Sequence, residues 1–371
     1  MNRHDTFLFL CDCLSFGPEA RATADSLRGR LTRGGIRWEW LVEAASDYLL
    51  CPALYWALNR KRLLSCIPDD LRSYLSTMHQ LNGDRNAHIM ALAAEAVRHL
   101  NDVDVEPVLL KGTANLFTGI YPDPAIRVLC DVDLLVPREK VGDCVRRLRS
   151  AGYSPTMDPG LPVWKSMHHC VPLLKSGDCA RIELHQDPTA DCYGSILDAE
   201  SVLRDSSPLA IGEARGRVPS AAHRIIHNVV HTQLQDQNYF MGAISLRQLF
   251  DLILMRDSLE TGVDWSCMAS KFEHGGCREV LPGYLLAGKR FFGSPLPPEV
   301  HPGVLARSYS WCVGAQTRLW AIRVGSALRI PAHFLRSLLS LIERPRVPKI
   351  HILQWSRTEA RWVTETWARR W

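Results

Sequence analysis

The spacing of apolar residues changes twice along the chain. Residues 38–60 and 69–102 carry apolar side chains three and four positions apart, which predicts amphipathic helices. Further on, the apolar positions fall into short runs bounded by turn residues, before helical spacing returns. The pattern therefore predicts a helical N-terminal region over 1–103, an α/β core over 104–215 and a helical C-terminal region over 216–371.

Short strands and helices alternate within the predicted core. Apolar runs next to glycine or proline predict the strands, and segments with a period near 3.6 residues predict the helices. The predicted strands cover 105–112, 131–137, 166–176 and 179–187, and the predicted helices cover 113–121 and 138–153. A Gly177-Asp178 turn joins the last two strands. The expected fold class is α+β, with a short mixed sheet and its helices flanked by helical regions.

Two aspartates interrupt an apolar run in the sequence RVLCDVDLLVP, residues 127–137. Asp131 and Asp133 are two positions apart, so on a strand both side chains lie on the same face. Burying two ionised carboxylates side by side is costly, and a divalent cation relieves their repulsion. Mg²⁺ binds carboxylates together with water and phosphate oxygens, which is the ligand set of phosphoryl- or nucleotidyl-transfer sites. Taken alone, the pair fits better a strand end that faces water, where loop amides bind both carboxylates.

A polar turn precedes this strand. Lys111, Gly112 and Thr113 end one predicted strand and begin a helix, whose first N–H groups lack intrahelical partners and suit a phosphate. The glycine lets the backbone approach a ligand closely. Arg127, four residues before the first aspartate, is placed for a contact with phosphate. These four residues are therefore candidates for binding the phosphates of a nucleotide.

A third carboxylate follows on another predicted strand. In the sequence RIELH, Glu183 and His185 are two positions apart and share one face. Glu183 supplies the third carboxylate that a site with two metal ions about 3.5–4 Å apart needs. His185 is a candidate proton carrier or substrate contact. We expect Asp131, Asp133, Glu183 and His185 to be the catalytic residues.

Other histidines are candidates for the same cleft. His168 and His169 precede the RIELH strand, and one of them is expected either to contact substrate or to lie on the surface. His223, His227 and His231 recur every four residues, which aligns them on one helix face. That spacing is similar to the spacing of two histidines that bind zinc from one helix, but no third ligand is evident in the sequence. His231 is expected to pack against the core or to reach the cleft as a substrate contact.

The chain lacks the motifs of several other enzyme classes. It contains no G-x-S-x-G, no P-loop, no G-x-G-x-x-G and no kinase-like H-R-D or D-F-G sequence. A serine or cysteine nucleophile and the common protein-kinase mechanism are therefore not supported. Arg247 and Asp251 are four residues apart and are expected to pair on one helix, with less support for a role at the cleft.

These residues together resemble a known family. The segments LLKG, YPDPAIRVLCDVDLLV, LRSAGY, HH and IELH, in that order, resemble the uncharacterised nucleotidyltransferase family of the DNA polymerase beta superfamily. The resemblance covers about residues 105–190 and extends weakly into the helices that follow. Members of that family are bacterial and often lie in biosynthetic gene clusters for modified peptides and small molecules. This chain has Gly-Thr where the superfamily has a Gly-Ser-type turn, and Asp131 comes 19 positions after Gly112.

The resemblance implies a fold and a chemistry. It implies a polymerase-beta-like core in which Asp131, Asp133 and Glu183 bind Mg²⁺ or Mn²⁺, with two ions expected. It also implies that the triphosphate binds near Lys111–Thr113 with help from Arg127. The expected substrates are a nucleoside triphosphate, ATP above all, and a small-molecule or peptide acceptor. A hydroxyl or phosphate of the acceptor attacks the α-phosphorus, and pyrophosphate leaves.

Charge is distributed unevenly along the chain. The 371 residues include 44 Lys and Arg against 39 Asp and Glu, a net charge of +5. Residues 301–371 contain 12 basic and 3 acidic side chains and are rich in tryptophan, whereas residues 1–300 have a net charge of −4. A solvated helical face explains this basic tail best, and nucleic acid is the less favoured partner.

The cysteines and the N-terminus bear on the cellular compartment. The 12 cysteines are scattered and form no C-x₂-C pair, which is typical of reduced thiols and disfavours a zinc ribbon or redox motif. The N-terminus is a poor secretory signal, and no apolar run reaches the roughly 18 residues that span a bilayer. We expect a cytoplasmic protein with no membrane partner.

Three functions fit these features. The first is a metal-dependent nucleotidyltransferase. The second is a kinase-type phosphotransfer at the same metals, in which the γ-phosphate is attacked and a nucleoside diphosphate leaves. The third is a catalytically inactive nucleotide-binding module whose basic tail recruits a partner. The products formed from a nucleoside triphosphate distinguish the three.

Overall fold

Helices form the whole N-terminal part of the structure, a computed structural model that describes residues 1–17, 19–157, 168–259 and 263–322. These helices are α1 (Arg3–Leu14), α2 (Ala24–Arg33), α3 (Trp38–Asp47), α4 (Cys51–Arg60) and α5 (Asp69–Asn101). Helix α5 is 33 residues long and covers the second segment that was predicted to be helical. Its last turn leads directly into the first strand of the sheet.

Strands and helices alternate in the middle of the chain, and helices follow. The alternating elements are β1 (Val108–Leu109), α6 (Lys111–Phe117), β2 (Asp131–Leu135), α7 (Val141–Ser150), β3 (Ser154–Pro155), β4 (Leu173–Leu174), β5 (Arg181–His185), α8 (Ala199–Arg204), β6 (Ser207–Ile211) and β7 (Ala214–Val218). The later helices are α9 (Ala221–Val229), a π-helical turn (Val230–Gln235), α10 (Asn238–Met241), α11 (Leu246–Leu259), α12 (Trp265–His274), α13 (Val280–Phe292) and α14 (Val304–Ile322).

The described strands form one sheet of seven strands in the order β3-β4-β5-β2-β1-β7-β6. Strand β2 lies at its centre, parallel to β5 and antiparallel to β1. In the register of β2 and β5, Asp133 is opposite Glu183 and Leu135 is opposite His185. The neighbouring Leu134, whose side chain alternates to the other face, is fully buried. Burial of that face anchors the strand that carries the aspartates.

The observed sheet confirms the predicted α+β class. Each predicted strand and helix of the core overlaps an observed element of the predicted type, although Lys111 and Gly112, which were predicted to end a strand, begin α6. The β6–β7 hairpin was not predicted, because Gly212 and the polar residues around it are typical of a turn. Gly212 has a φ of +61°, which glycine adopts without steric cost. Strand β7 pairs with β1 and extends the sheet to Val218, while the division of the chain into three regions stays a prediction.

Helix α5 supports the loop that leads into β2. Asn82 donates from Nδ2 to the carbonyl oxygens of Ala125 at 2.6 Å and Arg127 at 3.1 Å. Asn86 donates from Nδ2 to the carbonyl oxygens of Pro124 at 2.6 Å and Arg127 at 2.8 Å. Both asparagines are buried, so these bonds form where water does not compete for them. The N-terminal region thereby fixes the position of the backbone at Arg127.

Replacement of Asn86 by leucine should lower the free energy of unfolding by about 1–3 kcal/mol, since two carbonyl oxygens lose a buried donor. Urea unfolding followed by circular dichroism measures the change. The matched control is Asn59→Leu on α4, an exposed asparagine whose replacement should cost less than about 0.5 kcal/mol. Equal losses in the two variants would contradict the supporting role of Asn86.

The C-terminal tail lies mostly outside the described residues. Of the basic segment 301–371, the structure describes residues up to 322, which include α14. Trp311 on that helix is 69% exposed. The role predicted for the tail stays a prediction. In the part of the chain that is described, no helix combines the length and the apolar composition needed to cross a bilayer.

Candidate active site

The acidic residues meet where β2 and β5 run side by side. Asp133 and Glu183 are neighbours across the two strands, and His185 follows two positions later on the same face. Ligand atoms of these three residues all lie within 4.8 Å of one another. Asp131, on the same face of β2, lines the adjoining cavity without belonging to this group. The structure therefore brings three of the four predicted catalytic residues together and places the fourth beside them.

Asp133 is the hydrogen-bonding centre of the group. Its Oδ1 accepts a hydrogen bond from Lys111 Nζ at 2.8 Å and lies 2.8 Å from His185 Nε2. Its backbone N–H donates to the Thr113 hydroxyl at 3.2 Å. Only 3% of the Asp133 side chain is exposed, so both side-chain partners stabilise a buried carboxylate. Thr113, which was predicted to bind phosphate, holds β2 against α6 through its hydroxyl.

Burial and neighbouring charges shift the pKa values of the three carboxyl groups differently. Burial alone would raise the pKa of Asp133, but Lys111 and His185 outweigh it and hold this pKa well below its usual range. Burial, and then the charge of Asp133, raises the pKa of Asp131. Burial and Asp133 also raise the pKa of Glu183 to about 7. The site therefore has one carboxylate whose ionised form is stabilised and two whose ionised forms are disfavoured.

His185 is completely buried next to Asp133. Burial, and then the charge of Lys111, lowers the pKa of His185 to about 4, so its ring is neutral at neutral pH. A neutral ring that donates from Nε2 to Asp133 leaves Nδ1 as an acceptor, and Nδ1 has no hydrogen-bond partner within the described chain. The rings of His168 and His169 pack 5.4 Å and 5.3 Å from the His185 ring. Neither of them is among the residues that line the cavity.

The group has the donor chemistry of a divalent-cation site. Asp133 and Glu183 supply carboxylate oxygens, which suit a divalent cation, and His185 adds an imidazole nitrogen. The raised pKa of Glu183, which burial and Asp133 cause, reflects an unfavourable negative charge that a cation would stabilise. Lys111 Nζ already supplies one positive charge at this position. The group could therefore hold a divalent cation.

A cavity of about 160 Å³ adjoins the two aspartates. Its first wall is the first turn of α6 together with the loop before β2, where Lys111, Gly112 and Arg127 line it. Its second wall comes from α9, the π-helical turn and α11. The residues of this second wall include Arg224, His227, Asn228, His231, Arg247 and Asp251. Helices of the C-terminal region thus complete a site whose acidic residues come from the sheet, and His231 reaches the cleft.

The histidines of α9 form no metal site within the described residues. The rings of His227 and His231 lie 6.4 Å apart, and no third ligand joins them in that part of the chain. Burial, and then the charge of Lys111, lowers the pKa of His227 well below its usual value. His227 therefore lines the cavity as a neutral ring, and its Nε2 has no hydrogen-bond partner among the described residues.

Arg127 is held by a residue of the helical region. Its Nε donates to both carboxylate oxygens of Asp251, at 3.0 Å and 2.7 Å, and its Nη1 donates to the carbonyl oxygen of Val128. Arg127 and Asp251 are both buried and both line the cavity. The sequence predicted that Asp251 would pair with Arg247, but Asp251 pairs with Arg127. Arg247 donates instead to the Val128 carbonyl oxygen at 3.3 Å.

The first turn of α6 is sterically constrained. Lys111 has a φ of +49°, a left-handed conformation that residues other than glycine rarely adopt. Backbone strain of this kind concentrates at functional sites. A Cβ atom at Gly112 would lie 2.3 Å from Leu129 Cδ2. Any side chain at position 112 would therefore force Leu129, in the loop before β2, to move.

Several polar residues of the cavity were not predicted as parts of the site. Arg224 was not singled out, and His227 was considered only as part of a zinc pair. With Asn228 and His231 they occupy positions i, i+3, i+4 and i+7, which form one face of a helix. That polar face of α9 is the signal that would have found them.

Comparison with known proteins supports the resemblance that the sequence suggested. Among curated proteins, none matches the chain significantly. The model of a family described as an uncharacterised nucleotidyltransferase matches residues 34–293. The match includes the core and extends into both helical regions, from α3 to α13. Because it covers more than half of the sequence, the chain belongs to this uncharacterised nucleotidyltransferase family.

Proposed function

We propose that the protein transfers a nucleoside monophosphate from a nucleoside triphosphate to an acceptor, with Mg²⁺ or Mn²⁺ as cofactor and pyrophosphate as the leaving group. The acceptor would be a hydroxyl or phosphate of a small molecule or peptide. The observation that carries the proposal is the register of β2 and β5, in which Asp133 is opposite Glu183 and Asp131 shares their face. Membership of a nucleotidyltransferase family supports the reaction class.

Three carboxylates would hold the cations. Asp131, Asp133 and Glu183 are the proposed ligands, and a set of three carboxylates supports two ions. The bound cations would neutralise phosphate charge and activate the attacking oxygen of the acceptor. His185, whose pKa is about 4, is a weak base at neutral pH. We therefore assign to His185 the orientation of Asp133 through Nε2, in preference to the role of proton carrier.

The phosphates would lie against the first turn of α6. Lys111, Gly112 and Arg127 all line the cavity, which supports the role predicted for them. Lys111 Nζ forms an ion pair with Asp133 at 2.8 Å, so it would hold a phosphate oxygen next to the carboxylates. Thr113 supports this arrangement by accepting a hydrogen bond from the backbone of β2.

Product analysis tests the proposal. The purified protein is incubated with ATP, Mg²⁺ and candidate acceptors, and the nucleotide products are separated by ion-exchange chromatography. We expect pyrophosphate and a nucleotidylated acceptor, and neither should form when EDTA removes the divalent cation. Formation of ADP would contradict the proposal and show that the reaction is a kinase-type phosphotransfer. Tight binding of ATP without any product would replace it by a nucleotide-binding module.

A further inference from the structure

The helical wall of the cavity carries a buried arginine that is bound only to neutral groups. Arg224 is 8% exposed, and its Nη2 donates to Asn115 Oδ1 at 2.6 Å and to Thr118 Oγ1 at 2.7 Å. Its Nε has no hydrogen-bond partner among the residues that the structure describes. In that same part of the chain no carboxylate lies within ion-pair distance of Arg224. A guanidinium buried in this way keeps its charge without a counter-charge.

A second arginine of the cavity is in a similar position. Arg247 donates from Nη1 to the carbonyl oxygen of Val128 at 3.3 Å. Over the described ranges no carboxylate oxygen lies within 4.0 Å of its guanidinium. Asp251 and Asp131 are close enough to act on Arg247 electrostatically, yet Asp251 forms its ion pair with Arg127. The Arg247 charge is thus only partly balanced.

Burial disfavours both of these charges. It lowers the pKa of Arg224 to about 10, and it lowers the pKa of Arg247, which the charge of Arg127 lowers further. Taking an ionised side chain out of water is costly unless an opposite charge accompanies it. Because both side chains line a cavity, a bound ligand is able to supply that charge.

The charges around the cavity are unequal. Four cationic and three acidic side chains line it. Two of the cations, Lys111 and Arg127, have their own carboxylate partners in Asp133 and Asp251. A divalent cation at the acidic group would add further positive charge. The lining therefore has a net positive charge, and the unbalanced cations lie on the helical wall.

We propose that Arg224 and Arg247 form an anion subsite that binds a phosphate group. Guanidinium groups bind phosphate oxygens through paired N–H donors, and phosphate carries enough charge to balance two arginines. The cavity of about 160 Å³ is smaller than the roughly 300–1,000 Å³ pockets of drug-sized ligands, so it accommodates a charged part of a substrate. This inference rests on the proposed function for the identity of that substrate. The phosphate belongs either to the nucleoside triphosphate or to a phosphorylated acceptor.

Calorimetric titration tests the subsite without any turnover. The probes are the non-hydrolysable analogue α,β-methylene-ATP with Mg²⁺, AMP, and inorganic phosphate added to protein that is saturated with the analogue. The variants are Arg224→Met and Arg247→Gln. Loss of a charge-assisted hydrogen bond should weaken binding of the phosphate group about 10- to 100-fold. Arg247→Gln decides the outcome if Arg224→Met does not fold, because Arg247 is only partly buried.

The three probes distinguish the two sources of the phosphate. Weaker binding of the ATP analogue with unchanged binding of AMP assigns the subsite to the triphosphate. If binding of the analogue is unchanged and binding of inorganic phosphate is lost, the subsite belongs to the acceptor. The matched control is Arg256→Gln, since Arg256 is also 8% exposed on α11 but does not line the cavity. Wild-type affinities for all three probes in both variants would overturn the subsite, whether or not the protein releases pyrophosphate.

Discussion

Asp131→Asn is expected to abolish nucleotide transfer and to leave the metal-free protein at least as stable as the wild type. Transfer should fall by about a hundredfold or more, because replacement of residues that only orient metal ligands already costs about 10- to 100-fold. Stability should stay the same or rise by up to about 1 kcal/mol, the scale of interactions between partly exposed charges. The reason for the gain is that burial and the charge of Asp133 raise the pKa of Asp131, so its ionised form is unfavourable in the folded state.

The pH dependence of this gain has a definite sign. A raised pKa in the folded state means that the wild type loses stability as the pH rises through that pKa. The variant carries no charge at position 131 and does not share this loss. The difference in the free energy of unfolding between Asp131→Asn and the wild type should therefore shrink as the pH falls through the raised pKa of Asp131. Urea unfolding in EDTA at several pH values measures it, and pyrophosphate release measures the activity.

Asp133→Asn provides the contrast. This variant should also lose transfer, but it should unfold more easily, by about 1–3 kcal/mol, because Lys111 and His185 lose a charged partner. The pKa of Asp133 is held below its usual range, so its ionised form stabilises the fold at neutral pH. Wild-type transfer in either variant would rule out the proposed metal site. Equal stability changes in both would contradict the distinct environments of the two aspartates.

The centre of the site was predictable because strand geometry is local. Two residues that are two positions apart on a strand share a face, so the positions of Asp131 and Asp133 determine their common orientation. The same rule places Glu183 beside His185. That β5 lies next to β2 does not follow from spacing, since many strand orders fit the same pattern. The family resemblance implied only that Glu183 acts together with the two aspartates, and the observed register places Glu183 opposite Asp133.

Interactions between residues that are far apart in the sequence could not be predicted from the sequence. Arg127 and Asp251 are 124 positions apart, and Arg247 offered Asp251 a local partner four residues away. Only the packing of α11 against the loop before β2 decides between the two partners. The sequence pattern likewise places Asn86 on the polar face of a long helix, although in the structure Asn86 is buried against the same loop. Tertiary packing, which has no local signature, determines how the helical regions complete the site.

Replacement of Asp251 by leucine should have the largest effect on stability of the changes considered. Removal of one partner of a buried ion pair costs about 3–5 kcal/mol, because the remaining charge is left without compensation. Arg127 would then be a buried guanidinium between α11 and β2, bound by the Val128 carbonyl oxygen. Urea unfolding of the metal-free protein measures the loss. The matched control is Asp143→Leu on α7, whose side chain is 43% exposed and pairs with the more exposed Arg146, so the change in stability should be less than about 1 kcal/mol.

The double variant Arg127→Met/Asp251→Leu separates the two roles of Arg127. Replacing both members of a buried ion pair by apolar residues of similar size is often neutral or stabilising, so most of the lost stability should return. Affinity for α,β-methylene-ATP should not return if Arg127 binds phosphate, because the methionine offers no donor. Calorimetry on the double variant measures that affinity. Wild-type affinity in a stable double variant would show that Arg127 only connects α11 to the sheet, and the phosphate contact proposed for it would be wrong.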